Sequence, residues 1–193
     1  MTTRSSRATP AEPDTRTEHT FGASLDAASF KELFRGHPGG VAVITAEGES
    51  GPVALTATSV ASVSADPPLL IFSLSGSSSA TPTLASAETV VVHLLDEHDL
   101  DLAQLCATSG ADRFGGAQPW TRLVTGEPVF GDVRAWVRCA IVSRMQAGDS
   151  TVLAAHALQS DIGRPTGQDE GPGALVYHNR TWHRLGPHSV HNA

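Results

Sequence analysis

Residues 62–85 read SVSADPPLLIFSLSGSSSATPTLA, and their interpretation decides the fold. Ser62–Ala65 alternates as a strand, Asp66-Pro67-Pro68 breaks it, and Leu69–Leu74 resumes as an apolar strand. The chain then passes through a run of small residues and hydroxyls before Thr81-Pro82, with no lysine or arginine in the whole stretch. A flexible linker is one reading of such a run. The other is a cradle of hydroxyls and peptide N–H groups for a ligand phosphate, since amides at a strand end bind an anion without a cation. Thr81-Pro82 reads as an N-cap followed by proline at the first helical position, opening a short helix to about Ala87.

Upstream, Pro52–Ser64 alternates apolar and small residues. Val53, Leu55 and Ala57 share one face; Ala54, Thr56 and Thr58 share the other. Such a strand is expected to be covered on both faces, one by the core and one by a ligand or partner. Val41–Thr45 is a β-branched run, and EGESG after it is a turn into the next strand. Asp26–Arg35 has helical apolar spacing at Ala27, Phe30, Leu33 and Phe34, and GHPGG ends it. Downstream, Thr89–Leu95 is a strand and Asp96 caps a helix to about Ala107. Gly110–Gly126 reads as loop. Ala135–Met145 and Thr151–Asp161 form a long hairpin, and Ala174–Leu185 a last hairpin turning at Asn179-Arg180. The pattern gives about seven strands joined mostly by hairpins, without β-α-β alternation or a Gly-x-Gly-x-x-Gly loop, so an antiparallel barrel fits better than a Rossmann sheet.

With 193 residues and 40% hydrophobic content, the chain has material for one core. The expected division is a tail at 1–22, one domain at 23–186 and a short tail at 187–193. A net charge of -7 argues against a nucleic-acid surface. No segment approaches the ~20 apolar residues of a membrane span, and the N-terminus lacks the apolar stretch of a secretory signal. Cys106 and Cys139 match no metal spacing, and the nine histidines form no zinc motif. A cytoplasmic protein without metal or catalytic Ser-His chemistry is the expectation.

The hydroxyl-bearing segments Thr56–Ser59 and Ser73–Thr81 are separated by one turn and converge if their strands are neighbours. Small residues there let a planar ring approach the backbone. The order of FKELFRGHPGGVAVITA, ALTATSVASVSADPPLLIFSLSGSSSATPTLA, VVVHLL, GADRF, AGDSTV and LVYHNRTWHRL, from about Phe30 to Gly186, resembles the flavin reductase family. These proteins have an FMN-binding split barrel and serve as the small component of two-component flavin monooxygenases. The resemblance implies a mainly β fold: a six-stranded antiparallel Greek-key split barrel with two or three short helices, assembled as a homodimer. It implies FMN as cofactor (FAD being the larger alternative), NADH or NADPH as co-substrate, and a separate oxygenase that receives reduced flavin. Thr56, Ala57, Thr58 and Ser59 would line the flavin ring and ribityl chain. Ser73, Ser77, Ser78, Ser79 and Thr81 would hold the phosphate, with Arg113 and Phe114 of GADRF beside it. Ser150, Tyr177 and His178 would lie on the nicotinamide side. No catalytic residue is implied, because hydride transfer between two cofactors needs no acid or base.

The chain departs from the family pattern at three positions. Thr58 and His93 stand where asparagine is common, and Ser150 replaces a histidine associated with the nicotinamide. The last departure keeps a second reading open, a flavoprotein that retains its flavin as an oxidase or monooxygenase-like enzyme. A third is a non-catalytic flavin- or haem-binding module on the same barrel.

Overall fold

The computed structural model describes residues 24–164 and 172–190. The expected tail at 1–22 and most of the insertion before Gly173 lie outside these residues. Helix α1 (Ala27–Arg35) starts at Asp26, whose carboxylate accepts from Ala28 and Ser29 N–H. Strand β1 is the dipeptide Gly39–Gly40; β2 is Ala42–Gly48 and β3 is Gly51–Ala57, a hairpin. Strands β4 (Ala61–Ala65) and β5 (Pro68–Ser75) form the next hairpin, followed by α2 (Thr81–Ser86), β6 (Thr89–Leu94) and α3 (Leu100–Ala107). Strands β7 (Trp120–Arg122) and β8 (Pro128–Phe130) pair alone, within and beyond the stretch read as loop. The long hairpin is β9 (Ala135–Ala147) and β10 (Ser150–Asp161); β11 (Leu175–His178) and β12 (Thr181–Arg184) end the fold.

The main sheet is antiparallel, in the order β3-β2-β6-β9-β10-β5-β4. The neighbours β2–β6 and β10–β5 are not consecutive in sequence, so the hairpins are interleaved in Greek-key fashion. Six of the strands turn side chains into one interior: Ile44, Leu55, Phe72, Leu74, Val92, Cys139 and Leu153 are buried there with Leu84 of α2, which plugs the barrel. The seventh, β4, has no buried residue, which reconciles the expected six-stranded barrel with a seven-stranded sheet. Fully burying a Phe or Leu side chain stabilises the fold by about 1.5–3 kcal/mol, so this interior is the main stabilising feature.

The sheet curls until its ends meet. Ser59 Oγ accepts from Ser73 N–H at 3.0 Å and donates to Ser73 C=O at 3.2 Å. Here the expectation of one strand over Pro52–Ser64 fails. The chain leaves the ladder after Ala57 and resumes as β4, and the Ser59 hydroxyl satisfies backbone groups of β5 that would otherwise lack a strand partner. The expected double-faced packing of β3 holds: Leu55 and Ala57 face the barrel, while Ala54 faces a second core with Val43, Leu102, Ala103 and Phe130. Thr56 Oγ1 donates to Ala103 C=O at 2.7 Å, pinning α3 to the outer face. That face meets a helix at Ala54 and Thr56.

The last hairpin forms as read, with Asn179 and Arg180 both at positive φ. It joins β1 in a separate three-stranded sheet instead of closing the barrel. The expected C-terminal tail begins with a 3-10 turn, Pro187–Ser189, and 191–193 lie outside the described residues. Three largely buried ion pairs brace the periphery. Arg164 forks onto Asp96 with both contacts at 3.1 Å and also reaches Asp99, and Arg138 pairs with Glu127 at 2.7 Å.

His93 is fully buried beside Phe130. Its Nε2 accepts from Phe130 N–H at 3.0 Å, so its Nδ1 carries the proton and donates to Val43 C=O at 3.0 Å. It is a satisfied core histidine that lines neither of the two clefts at Thr58 and Ser59. Burial lowers its pKa from 6.5 to about 4. The unfolded chain therefore binds a proton that the folded chain refuses, and stability present above pH 6.5 is lost as pH falls towards 4. Urea unfolding at pH 7 and pH 5 should show a loss of about 2 kcal/mol; equal stabilities would contradict this role.

Candidate functional site: two clefts with a common wall

Beyond Ala57 and beyond Ser75 the two neighbouring chains open into a cleft of about 450 Å³, within the range of small-molecule sites. Thr56, Ala57, Thr58 and Ser59 line one side, Ser73, Ser77, Ser78 and Ser79 another. Cys106, Ala107, Ser109 and Arg113 close it from the end of α3, and Ser150 enters from β10. Thr58 and Ser79 thus share one cleft, as the sequence reading required. The Ser150 register explains its presence: it pairs with Ser75, and its hydroxyl donates to Asp149 Oδ1 at 3.0 Å. The residue expected on the nicotinamide side belongs to the serine cleft.

Three expected residues lie elsewhere. Thr81 is not a side-chain N-cap; its buried hydroxyl donates to Ser75 C=O at 2.6 Å, tying the serine loop to α2. Phe114 stacks on Phe130 at 5.2 Å and meets Trp120 edge-on at 4.9 Å, so its ring belongs to the second core. His178 lies against His183 across the hairpin at 5.6 Å and lines neither cleft. Among the described residues no group of three or more His, Cys, Asp or Glu is placed to hold a metal.

The serine loop is internally braced and still leaves donors free. Gly76 N–H donates to Asp149 C=O at 2.9 Å, and a Cβ on Gly76 would stand 2.5 Å from that oxygen, so glycine lets the loop cross the β9–β10 turn. Ser75 and Ser77 hydroxyls bond each other at 2.9 Å. Among the described residues the hydroxyls of Thr58, Ser73, Ser79 and Ser109, and the Ser79 N–H, have no protein partner. Arg113 donates to Thr108 C=O at 3.0 Å and to Cys106 C=O at 3.4 Å. That contact neutralises the carbonyl end of α3 and holds the guanidinium at the cleft. The lining has one cation and no carboxylate, in a chain of net charge -7. Such a donor set suits a phosphate. Burial raises the Cys106 thiol to about 12, so it stays neutral and contributes bulk only.

A second cleft of about 680 Å³ adjoins the first and shares Thr58, Ser59 and Ser73 with it. Its other walls are Phe30, Lys31, Phe34 and Arg35 of α1, then His37, Gly39, Tyr177, Asn179 and Arg180. Gly39 is required by a close approach: a Cβ there would lie 2.9 Å from Thr58 C=O. Of these residues, the sequence reading assigned Tyr177. The α1 and turn residues were missed because nothing local in FKELFRGH or HNR marks a site; the hairpin β11–β12 has to fold back beside α1 to bring them together.

The sequence profile of the flavin reductase like domain matches residues 34–186. The chain belongs to this family. An NADH:FMN oxidoreductase of Rhodococcus qingshengii is 35% identical over 188 residues, 95% of this chain and 94% of that protein. The crystal structure of a flavin reductase domain protein from Arthrobacter sp. FB24 superposes with a TM-score of 0.75 and 32% identity, over 83% of this chain and 96% of that one. BorF, the flavin reductase component of a bacterial two-component tryptophan halogenase, matches with a TM-score of 0.71 and 28% identity over 83% of this chain and 99% of its own. The mainly β antiparallel architecture is the family's fold. None of the helices among the described residues is long and apolar enough to cross a membrane.

If the serine cleft holds the phosphate of FMN, a carboxylate introduced at its centre repels it. Ser79→Asp is expected to weaken FMN binding at least about tenfold, since like charges about 4 Å apart repel by several kcal/mol before screening. Fluorescence titration of FMN into the flavin-free protein measures it, and unchanged affinity would remove Ser79 from the phosphate site.

Proposed function

We propose that this chain is an NAD(P)H:flavin oxidoreductase that reduces FMN and passes it to a separate flavin-dependent oxygenase. The observation that carries the proposal is the wall common to the two clefts. A phosphate-binding cleft and an aromatic, basic cleft meet at Thr58, Ser59 and Ser73, so two cofactors can lie against each other there. When bound, flavin accepts a hydride at its ring nitrogen from the nicotinamide and carries the electrons away.

The chain's own residues bind, orient and shield. Ser77, Ser78 and Ser79 with Arg113 hold the phosphate end. Ala57, Thr58 and Ser59 present a wall of small residues against which a flat ring can rest; Thr56 fixes that wall to α3, and Thr81 fixes the serine loop to α2. Tyr177 bounds the nicotinamide side. The first cleft is lined by no Asp, Glu or His, in keeping with a step that needs positioning and exclusion of water rather than proton transfer. FMN is favoured over FAD because the space continuing past Ser79 and Arg113 narrows to about 170 Å³ beside Asp112. NADH is favoured as donor by the likeness to NADH:FMN oxidoreductases. Ser150, standing where the family's histidine would be, lines the first cleft, and its effect on NADH turnover is read in the following experiment. Anaerobic stopped-flow mixing of the FMN-loaded protein with NADH should bleach the flavin's visible absorbance within the steady-state turnover time. Bound flavin that neither NADH nor NADPH bleaches would remove the reductase reading.

The same reading includes a homodimer. No residue of α1 is buried, and Leu25 and Leu33 are 55% and 68% exposed on a shallow apolar surface. Val142 and Met145 stand equally bare on β9. Exposed apolar side chains in such number fit a surface covered by a second copy. Light scattering should give twice the 20.1 kDa chain mass; a monomer at micromolar concentration would contradict it. A reducing cytoplasm fits the two unpaired, buried cysteines.

A further inference from the structure

The turn between β11 and β12 contains an anomaly that the fold alone does not explain. Its two central residues are Asn179 at φ 48° and Arg180 at φ 62°. This left-handed pair is the turn that hairpins favour, and it is normally made with asparagine followed by glycine. Asparagine tolerates the conformation; arginine, with a long side chain on Cβ, does so at a cost. Backbone held in a disfavoured region is a reason to look for function. The turn is also fixed in place: Asn179 N–H donates to Arg35 C=O at the end of α1, at 3.0 Å.

The Arg180 side chain lines the second cleft and has no acidic or carbonyl partner among the described residues. Lys31 of α1 lines the same cleft and is likewise without a partner among the described residues, whereas Arg35 pairs with Glu32 at 2.7 Å. No Asp or Glu lines this cleft; its other walls are the rings of Phe30, Phe34, His37 and Tyr177, Gly39, Asn179 and the residues shared with the first cleft. Two uncommitted cations lining one cleft with aromatic walls, in an acidic protein, form a site for an anion attached to planar groups.

We infer that Arg180, assisted by Lys31, grips the pyrophosphate of the nicotinamide dinucleotide, and that arginine replaces glycine in the turn for this purpose. This assignment rests on the reductase reading above. It makes Arg180 a binding residue for the electron donor with no part in holding flavin.

The test is Arg180→Gly, which relaxes the backbone while removing the charge. Thermal unfolding should show an unchanged or higher melting temperature, and light scattering an unchanged oligomeric state. FMN affinity should stay within twofold of wild type. The KM for NADH should rise at least about fivefold with kcat little changed, the signature of lost binding shared by ground and transition states. Arg180→Lys should recover part of the loss, and raising salt should weaken wild type more than the glycine variant. Calorimetric titration of NAD+ into FMN-loaded protein gives a readout independent of turnover, and the variant should bind it correspondingly more weakly. Wild type that oxidises NADH with the same KM as Arg180→Gly overturns this inference alone. Wild type that oxidises neither NADH nor NADPH overturns the reductase reading, and the NAD+ titration then decides the inference separately: equal affinity in both proteins ends it. A glycine variant that loses FMN affinity in step with NADH affinity also overturns it, because Arg180 would then act on the fold or the flavin.

Discussion

The pair of hydrogen bonds between the Ser59 hydroxyl and the backbone of Ser73 is the contact on which the architecture and the site both depend. A curled sheet has two edges, and each exposes backbone groups that need partners. Here the edge strand β4 diverges from β5 before Ser73, and one side chain from the end of β3 supplies the missing donor and acceptor. The result is a seam rather than a continuous ladder. Past a seam two chains separate, and the first cleft occupies that separation. Ser59 and Ser73 consequently appear in the walls of both clefts, so the element that closes the barrel also sets where two ligands would meet.

Charge is distributed with the same economy. The chain is acidic overall, yet neither cleft wall carries a carboxylate. The acidic groups are engaged elsewhere: Asp96 and Asp99 on Arg164, Glu127 on Arg138, Glu97 on Arg184, Glu47 on Arg122. The pairs at Asp96, Asp99 and Glu127 are largely buried; such pairs add little net stability, but breaking one strands a charge in the interior. They keep the second core and the last hairpin in register with α3, which in turn presents Cys106, Ala107 and Arg113 to the serine cleft. The Thr56 bond to Ala103 C=O fixes that helix against the strand carrying the opposite wall.

Much of this was legible from residue order. The long hairpin, the helical segments that follow Asp26 and Asp96, the final turn at Asn179-Arg180 and the serine loop at a strand end follow from local rules of periodicity, capping and turn chemistry. The resemblance in segment order added the barrel and the flavin. The failures have common causes. Pro52–Ser64 looks like one strand because alternation persists through Thr58–Val60; the break is imposed by a partner strand, which local pattern does not contain. Thr81 and Phe114 have the right chemistry and the right neighbours in sequence for a phosphate site. Their side chains are consumed by Ser75 C=O and by the Phe130–Trp120 cluster, contacts made across the fold. His93, singled out in the sequence as a departure from the family pattern, lies in the core, held by its two backbone partners, Val43 and Phe130.

The sequence by itself determined the antiparallel class, the hairpin pairs and the hydroxyl-rich, cation-poor character of the Thr56–Ser59 and Ser73–Ser79 segments, because these depend on residues within a few positions of one another. Only the tertiary structure decided which of those hydroxyls remain free, that Ser150 stands with the serines, and that α1 and the last turn build a second, basic cleft beside the first. Those facts depend on which distant segments take up a donor, an acceptor or a face, and that competition is settled by packing in three dimensions.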